Sequence, residues 1–271
     1  MKKWSAYPYV FWSILFIVVP LIIVLGFSLV VKTPSGVAFS LANYQKFLEP
    51  MYLKVLVRSL QLAIVSTILC LILGYPMAVI LAGMEERKRN LMVMLFVLPM
   101  WMNFLLRTYA WVALLSRNGF LNAILEFFHI GKINMMFTDG AVLLGMVYNF
   151  IPFMILPIYT VLSKINKNTI EAAQDLGANK ARVFFKIVVP LSVPGIVSGV
   201  TMVFMPAVST FVISALLGGG QYTLIGNLVE QQFLSGDWYF GSAISIVLMV
   251  MILISMAFMR KVDKQETGGR I

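Results

Sequence analysis

Acidic side chains set beside aromatic rings are the groups in this sequence best suited to handle a ligand. Asp237 is followed directly by Trp238 and Tyr239, and Glu230 follows Tyr222 on one short segment. A carboxylate cancels positive charge, and an aromatic face attracts an ammonium group by about 0.5 to 2 kcal/mol, so the combination suits an organic cation. The same rings at a membrane surface also serve as interface anchors. Covalent chemistry has less to work with. The one histidine, His129, has no nucleophile arranged with it, and the one cysteine, Cys70, lies inside an apolar run. Gly218-Gly219-Gly220 continues into Gln221 and Tyr222, without the lysine of a phosphate-binding loop. The chain is expected to be no enzyme and to hold neither metal nor cofactor.

The elements that must position these groups are dictated by hydropathy. Of 271 residues, 60% are hydrophobic and 12% charged, with a net charge of +10 and a mean hydropathy of +0.91. An ordinary soluble domain is about half apolar and about a quarter charged. That excludes a soluble enzyme or a nucleic-acid binder. Apolar runs near the roughly 20 residues needed to cross a bilayer occur at Pro8 to Val31, Leu60 to Ala82, Leu91 to Leu115, Ala141 to Leu162, Leu191 to Leu217 and Gly241 to Met259. The first is too long for a signal-peptide core and lacks a following A-x-A-like site, so it reads as a retained helix. The expectation is an all-α membrane protein, one domain over residues 1–271, with six transmembrane helices and a segment at 163–190 on the terminal side.

Loop charge gives the orientation. Fourteen of the 21 Lys and Arg residues fall on the side of the termini, six on the other and one, Arg107, inside a span. Basic residues collect in cytoplasmic loops, so both termini are expected in the cytoplasm.

The segment before the fifth span has its own pattern. Asn168 with Glu171 predicts a capping box, and Gly177 a left-handed stop, for a helix of about 12 Å from Thr169 to Leu176. Asn179 to Val189 then predicts a second stretch, with Val183, Phe184 and Ile187 on one face. Such a basic loop could lie on anionic headgroups. However, Glu171-Ala172-Ala173, then Gly177, then Ile187-x-Val189-Pro190 resembles the EAA motif of ABC importer permeases, with Val189 where leucine is usual.

The resemblance continues through Leu41-Ala42-Asn43-Tyr44, Leu73-Gly74-Tyr75-Pro76, Leu98-Pro99-Met100-Trp101-Met102-Asn103, Asn118 to Asn122, and Leu224 to Leu228 with Gly236-Asp237-Trp238. These segments are similar to the spermidine/putrescine permeases of that family. What the resemblance implies is a MetI-like, type I ABC importer permease fold in a bacterial inner membrane. It also implies polyamine cargo, a PotA-like ATPase dimer carrying ATP and Mg, a PotC-like second permease and a PotD-like extracytoplasmic binding protein. In that family the EAA loop docks on the ATPase, which assigns coupling to Glu171, Ala172, Ala173, Asp175, Leu176, Gly177, Ile187 and Pro190.

For the cargo path the sequence offers Asp237 and Trp238 first, then Glu230, Tyr222, Asn103 and Tyr148. Met205, Pro206 and Val208, midway along the fifth span, are candidates for a gate. Arg107 would repel a polycation. It is expected to be structural, paired with a carboxylate or with helix-terminal carbonyls, or else to snorkel to the interface.

Overall fold

The computed structural model describes residues 7–33, 36–220 and 223–268. Among the described residues, five helices are long and apolar enough to cross a membrane: α1 (Tyr7–Ser28), α3 (Pro50–Gly83), α7 (Asp139–Leu162), α9 (Lys180–Ser209) and the Trp238–Lys261 part of α12 (Trp238–Gly268). A further apolar stretch passes the same test only when two parts are taken together: α4 (Glu86–Trp101) meets the stretch of α5 (Phe104–Leu115) and α6 (Phe120–Phe127) at 91°. By the charge-based orientation, the outer side carries the hairpin of β1 (Val30–Thr33) and β2 (Gly36–Phe39), the short α2 (Ala42–Phe47), α6, α10 (Val212–Gly218) and α11 (Ile225–Leu234), and the inner side carries α8 (Lys167–Asp175).

The core forms where α7 packs against α3 and α9. Met146, Met154, Ile155 and Ile158 of α7 are fully buried there. Lipid offers no hydrophobic drive for helices to associate, so close backbone approach matters more. Gly195 supplies it: a Cβ at that position would stand 3.0 Å from the Ile158 Cα and the Pro157 carbonyl oxygen. The α1 helix instead packs against α12, and its most apolar stretch has no buried residue.

Several boundaries differ from the sequence expectations. The first span stops at Ser28 rather than Val31, because Val30 and Val31 enter β1. The second span begins at Pro50 rather than Leu60, because Glu49 is extended and Pro50 starts the helix with its fixed φ. The third is not one rod. The α4 helix ends just after Pro99, Met102 is extended at ψ 147°, and Asn103 starts α5 by accepting the Leu105 N–H at 2.8 Å. The fifth stops at Ser209, where Thr210 is extended at ψ 139°, and α10 follows as a separate helix. The residues after the first span, expected only as a long outer loop, contain the antiparallel hairpin, with the buried Asn43 of α2 donating to the Val30 carbonyl at 2.9 Å.

Two π turns, at Ile14–Val18 and Phe184–Val188, each sit directly before a proline, Pro20 and Pro190. Proline has no N–H and its ring crowds the carbonyl one turn back. The wider turn relieves that crowding, with the Val189 N–H reaching back to Phe184.

Candidate functional site

The segment before the long helix α9 is built by polar caps. Asn166, not Asn168, starts α8, its side-chain oxygen accepting the Asn168 N–H at 3.0 Å, so the expected capping box with Glu171 does not form. The stop is as expected in kind. Gly177 has φ +83°, its N–H bonds the Gln174 carbonyl at 2.8 Å, and the Ala178 N–H bonds the Ala173 carbonyl at 3.0 Å. This pair of bonds is the Schellman arrangement. Asn179 then caps α9 by accepting the Arg182 N–H at 2.8 Å, and the stretch predicted from Asn179 to Val189 is the opening of that long helix.

Because caps rather than a core fix this segment, its side chains stay available. Glu171, Ala172 and Asp175 are exposed, and Ala173 is half-buried. Leu176 is 90% exposed, a large apolar side chain at the end of a polar helix. The main packing of α8 is against the first turn of α9. Ile187 and Pro190 are half-buried on α9, so they anchor the segment rather than display it.

At the opposite end of the bundle the two leading acids separate. Asp237 lies 3.6 Å from the Lys46 Nζ and accepts the Phe240 N–H at 3.2 Å, which caps α12. The same Nζ stands 4.0 Å over the Phe240 ring. The charge of Asp237 is thus partly answered by a base of the loop that follows the first span. Trp238 is exposed, with its ring edge-on to Phe233 at 5.6 Å. Asp139 and Glu126 are likewise paired, with Arg58 at 2.7 Å and Lys132 at 3.5 Å.

Glu230 is placed differently. It is half-buried on α11 and lines a cavity of about 540 Å³ with Ser209, Phe211, Ser245, Leu248 and Met249, between the broken end of α9 and α12. It also borders a second cavity of about 540 Å³ with Ser214, Asn227 and Gln231. The break in α9 is held open by residues that the sequence reading did not select. The Asn227 amide donates to the Phe211 carbonyl at 2.8 Å, and its side-chain oxygen accepts from the Ser214 hydroxyl and the Leu224 N–H. Gly226 lets α11 press on the break, since a Cβ there would meet the Ser209 carbonyl oxygen at 2.6 Å. The signal was the Gly226-Asn227 pair within an otherwise apolar helical pattern.

The remaining candidates do not gather into one cluster. Asn103 is the exposed cap of α5, and Tyr148 meets Trp111 edge-on at 5.3 Å. Met205 and Pro206 are half-buried, Val208 is 1% exposed, and all three precede the break at Thr210. Tyr222 lies outside the described residues. Arg107 is 8% exposed, so it does not snorkel. Among the described residues its Nε has no hydrogen-bond partner and no carboxylate forms an ion pair with it, and the Phe104 ring centroid is 5.9 Å from its guanidinium carbon.

Comparison with known proteins places this arrangement. Residues 71–267 match the family described as "Binding-protein-dependent transport system inner membrane component". The spermidine/putrescine transport system permease protein PotB of Escherichia coli is 40% identical over 256 residues, covering 92% of this chain and 93% of that protein. PotB of Haemophilus influenzae is 39% identical over 249 residues, covering 90% and 87%. The inner membrane ABC transporter permease protein YdcU of Escherichia coli is 31% identical over 238 residues, covering 82% and 75%. Among solved structures, a chain of a bacterial ABC transporter involved in the import of the acidic polysaccharide alginate superposes with a TM-score of 0.80 at 17% identity, covering 96% of each chain. A chain of the MetNI methionine ABC transporter in an inward-facing conformation gives 0.57 at 16% identity, covering 80% of this chain and 98% of that one.

Proposed function

This chain belongs to the family of binding-protein-dependent transport system inner membrane components, and from that premise we propose that it is one permease subunit of an ATP-driven polyamine importer. The observation that carries the coupling half of this reading is α8. It is a short, doubly capped helix at the EAA pattern, it displays Leu176, Ala172, Glu171 and Asp175, and it packs mainly on the helix that leads into the core. An exposed leucine beside small alanines suits a groove on an ATPase. Closure of an ATPase dimer on ATP would push α8, and α9 would carry that displacement toward the break at Thr210. Both termini and α8 then face the cytoplasm. A second permease and an extracytoplasmic binding protein complete the assembly.

The cargo half rests on Glu230 and on the relatives' names. A chain of several ammonium groups cannot enter an apolar passage uncompensated. Glu230 brings a carboxylate, with Phe211 beside it, into a cavity at the broken end of α9, close in sequence to Met205, Pro206 and Val208. In this reading Asp237 and Trp238 shape the outer rim, and the gate forms where α9 gives way to α10. The test is labelled spermidine and putrescine uptake by bacterial cells whose own polyamine importers are deleted, supplied with this chain and its partner subunits. Restored uptake that unlabelled polyamines compete away, and neutral sugars do not, is the expected result. Uptake that is not restored although the complex assembles would overturn the assignment of cargo.

A further inference from the structure

The α8 segment packs on the bundle mainly through the first turn of α9, so a displacement carried by that contact must leave α9 for another helix before it spreads. The structure shows where. The Tyr75 hydroxyl on α3 lies 3.0 Å from the Ser192 Oγ on α9. Ser192 donates its only proton to the Val189 carbonyl at 2.8 Å, so Tyr75 is the donor in the contact between helices. The Tyr75 ring also meets Phe184 edge-on, at 6.0 Å and 78°. Phe184 opens the π turn and Val189 closes it. One tyrosine therefore touches the first residue of the irregular turn directly and reaches its last through Ser192, where the coupling segment joins the fifth span.

The surroundings favour a mechanical role for this grip. Ser192 is fully buried and Tyr75 half-buried. The neighbouring Gly74 lets α3 sit close to Met154 and Ile155 of α7, with a Cβ there 3.2 Å from the Met154 Cγ. A shift passed to Tyr75 thus reaches α3 where α3 is seated on the core. A π turn before Pro190 lacks the regular bonding of an α-helix, so it is where α9 yields most readily unless something outside the helix braces it.

We propose that Tyr75 is a positioning residue for transport: it clamps the π turn at Phe184 to Val189, so that movement of α8 drives α3 and α9 together instead of being absorbed in the turn. The proposal rests on the ATPase-coupled reading above. Loss of the clamp should separate ATP hydrolysis from uptake, because α8 would still engage the ATPase while the spans followed less completely.

The experiment uses the full complex in proteoliposomes, with loaded binding protein and ATP, and reads ATP hydrolysed and polyamine imported in the same vesicles. Tyr75→Leu removes both contacts. Tyr75→Phe and Ser192→Ala each remove the hydrogen bond and keep the ring contact. The expected result is a rise of about five- to tenfold in ATP hydrolysed per polyamine imported for Tyr75→Leu, and of about two- to threefold for Tyr75→Phe and Ser192→Ala, which should not add in the double variant. Hydrolysis and uptake falling in equal proportion, or an unchanged ratio in all variants, would overturn the clamp. Should Tyr75→Leu fail to assemble, the ratio in Tyr75→Phe and Ser192→Ala decides alone. Absence of ATP-driven polyamine uptake by the unaltered complex would instead count against the function proposed above.

Discussion

Lys46 and Asp237 face each other at 3.6 Å and tie the first outer loop to the start of the last span. Their side chains are 41% and 40% exposed, so solvent screens the pair and its net worth is at most about 1 kcal/mol. Asp237 does a second job as the cap of α12. Asn keeps a capping oxygen, so Asp237→Asn should change polyamine uptake by less than about threefold. Asp237→Ala, which removes the cap, should cost about 1 kcal/mol of stability. Thermal unfolding and uptake, measured on both variants, check this. A tenfold loss of uptake in Asp237→Asn would return this acid to the cargo path.

Glu230 is the outer acid expected to matter for cargo. Glu230→Gln preserves size and removes the charge from the cavity beside Phe211. Uptake should fall about tenfold at low polyamine concentration, equivalent to about 1.4 kcal/mol, with docking of the binding protein unchanged. Uptake kinetics beside binding-protein affinity for the complex separate the two effects. A change in docking alone would assign Glu230 to a protein interface.

Gly177 tests the coupling segment through backbone geometry alone. Its φ is +83°, and a Cβ there would meet no atom within 4 Å. A side chain would therefore be penalised by the left-handed conformation, at roughly 1 to 2 kcal/mol, and not by a clash within this chain. Gly177→Val should abolish uptake while the subunit still inserts. Gly177→Asn should retain part of it, because asparagine tolerates this conformation better. Equal behaviour of the two variants would argue against the left-handed stop as the cause.

The orientation is open to a labelling test. Cys70 is fully buried, so the natural chain should resist maleimide reagents in the folded state and provide a silent background. A cysteine introduced at Asn179, which is exposed, should react only from the cytoplasmic side, and one at Leu234, which is 81% exposed, only from outside. Labelling of position 179 from outside would invert the orientation and remove α8 from reach of any ATPase.

How much of this was legible in the sequence follows from the range of each interaction. Spans and caps are local. Hydropathy located the crossings, and Gly177 announced its stop, because a left-handed residue is a property of one position. The elbow between α4 and α5 was hidden in one continuous apolar run, although Pro99 and a cap-forming Asn103 were the marks of a break. The end of α9 at Ser209 was harder to find, since the Asn227 amide that satisfies the Phe211 carbonyl comes from another helix. For the same reason the partners of the acids could not be read from the sequence. Asp237 beside Trp238 looked available, and only the fold brings Lys46 to it.

Coupled transport itself is the claim that everything else depends on. The direct measurement is uptake of labelled spermidine into proteoliposomes containing this chain, a second permease, the ATPase pair and the binding protein, with ATP on the α8 side. The account predicts accumulation against a gradient that requires hydrolysable ATP and loaded binding protein, and that is lost in Gly177→Val with every subunit still present. Spermidine entry that continues without ATP hydrolysis, or that is indifferent to Gly177→Val, would contradict it.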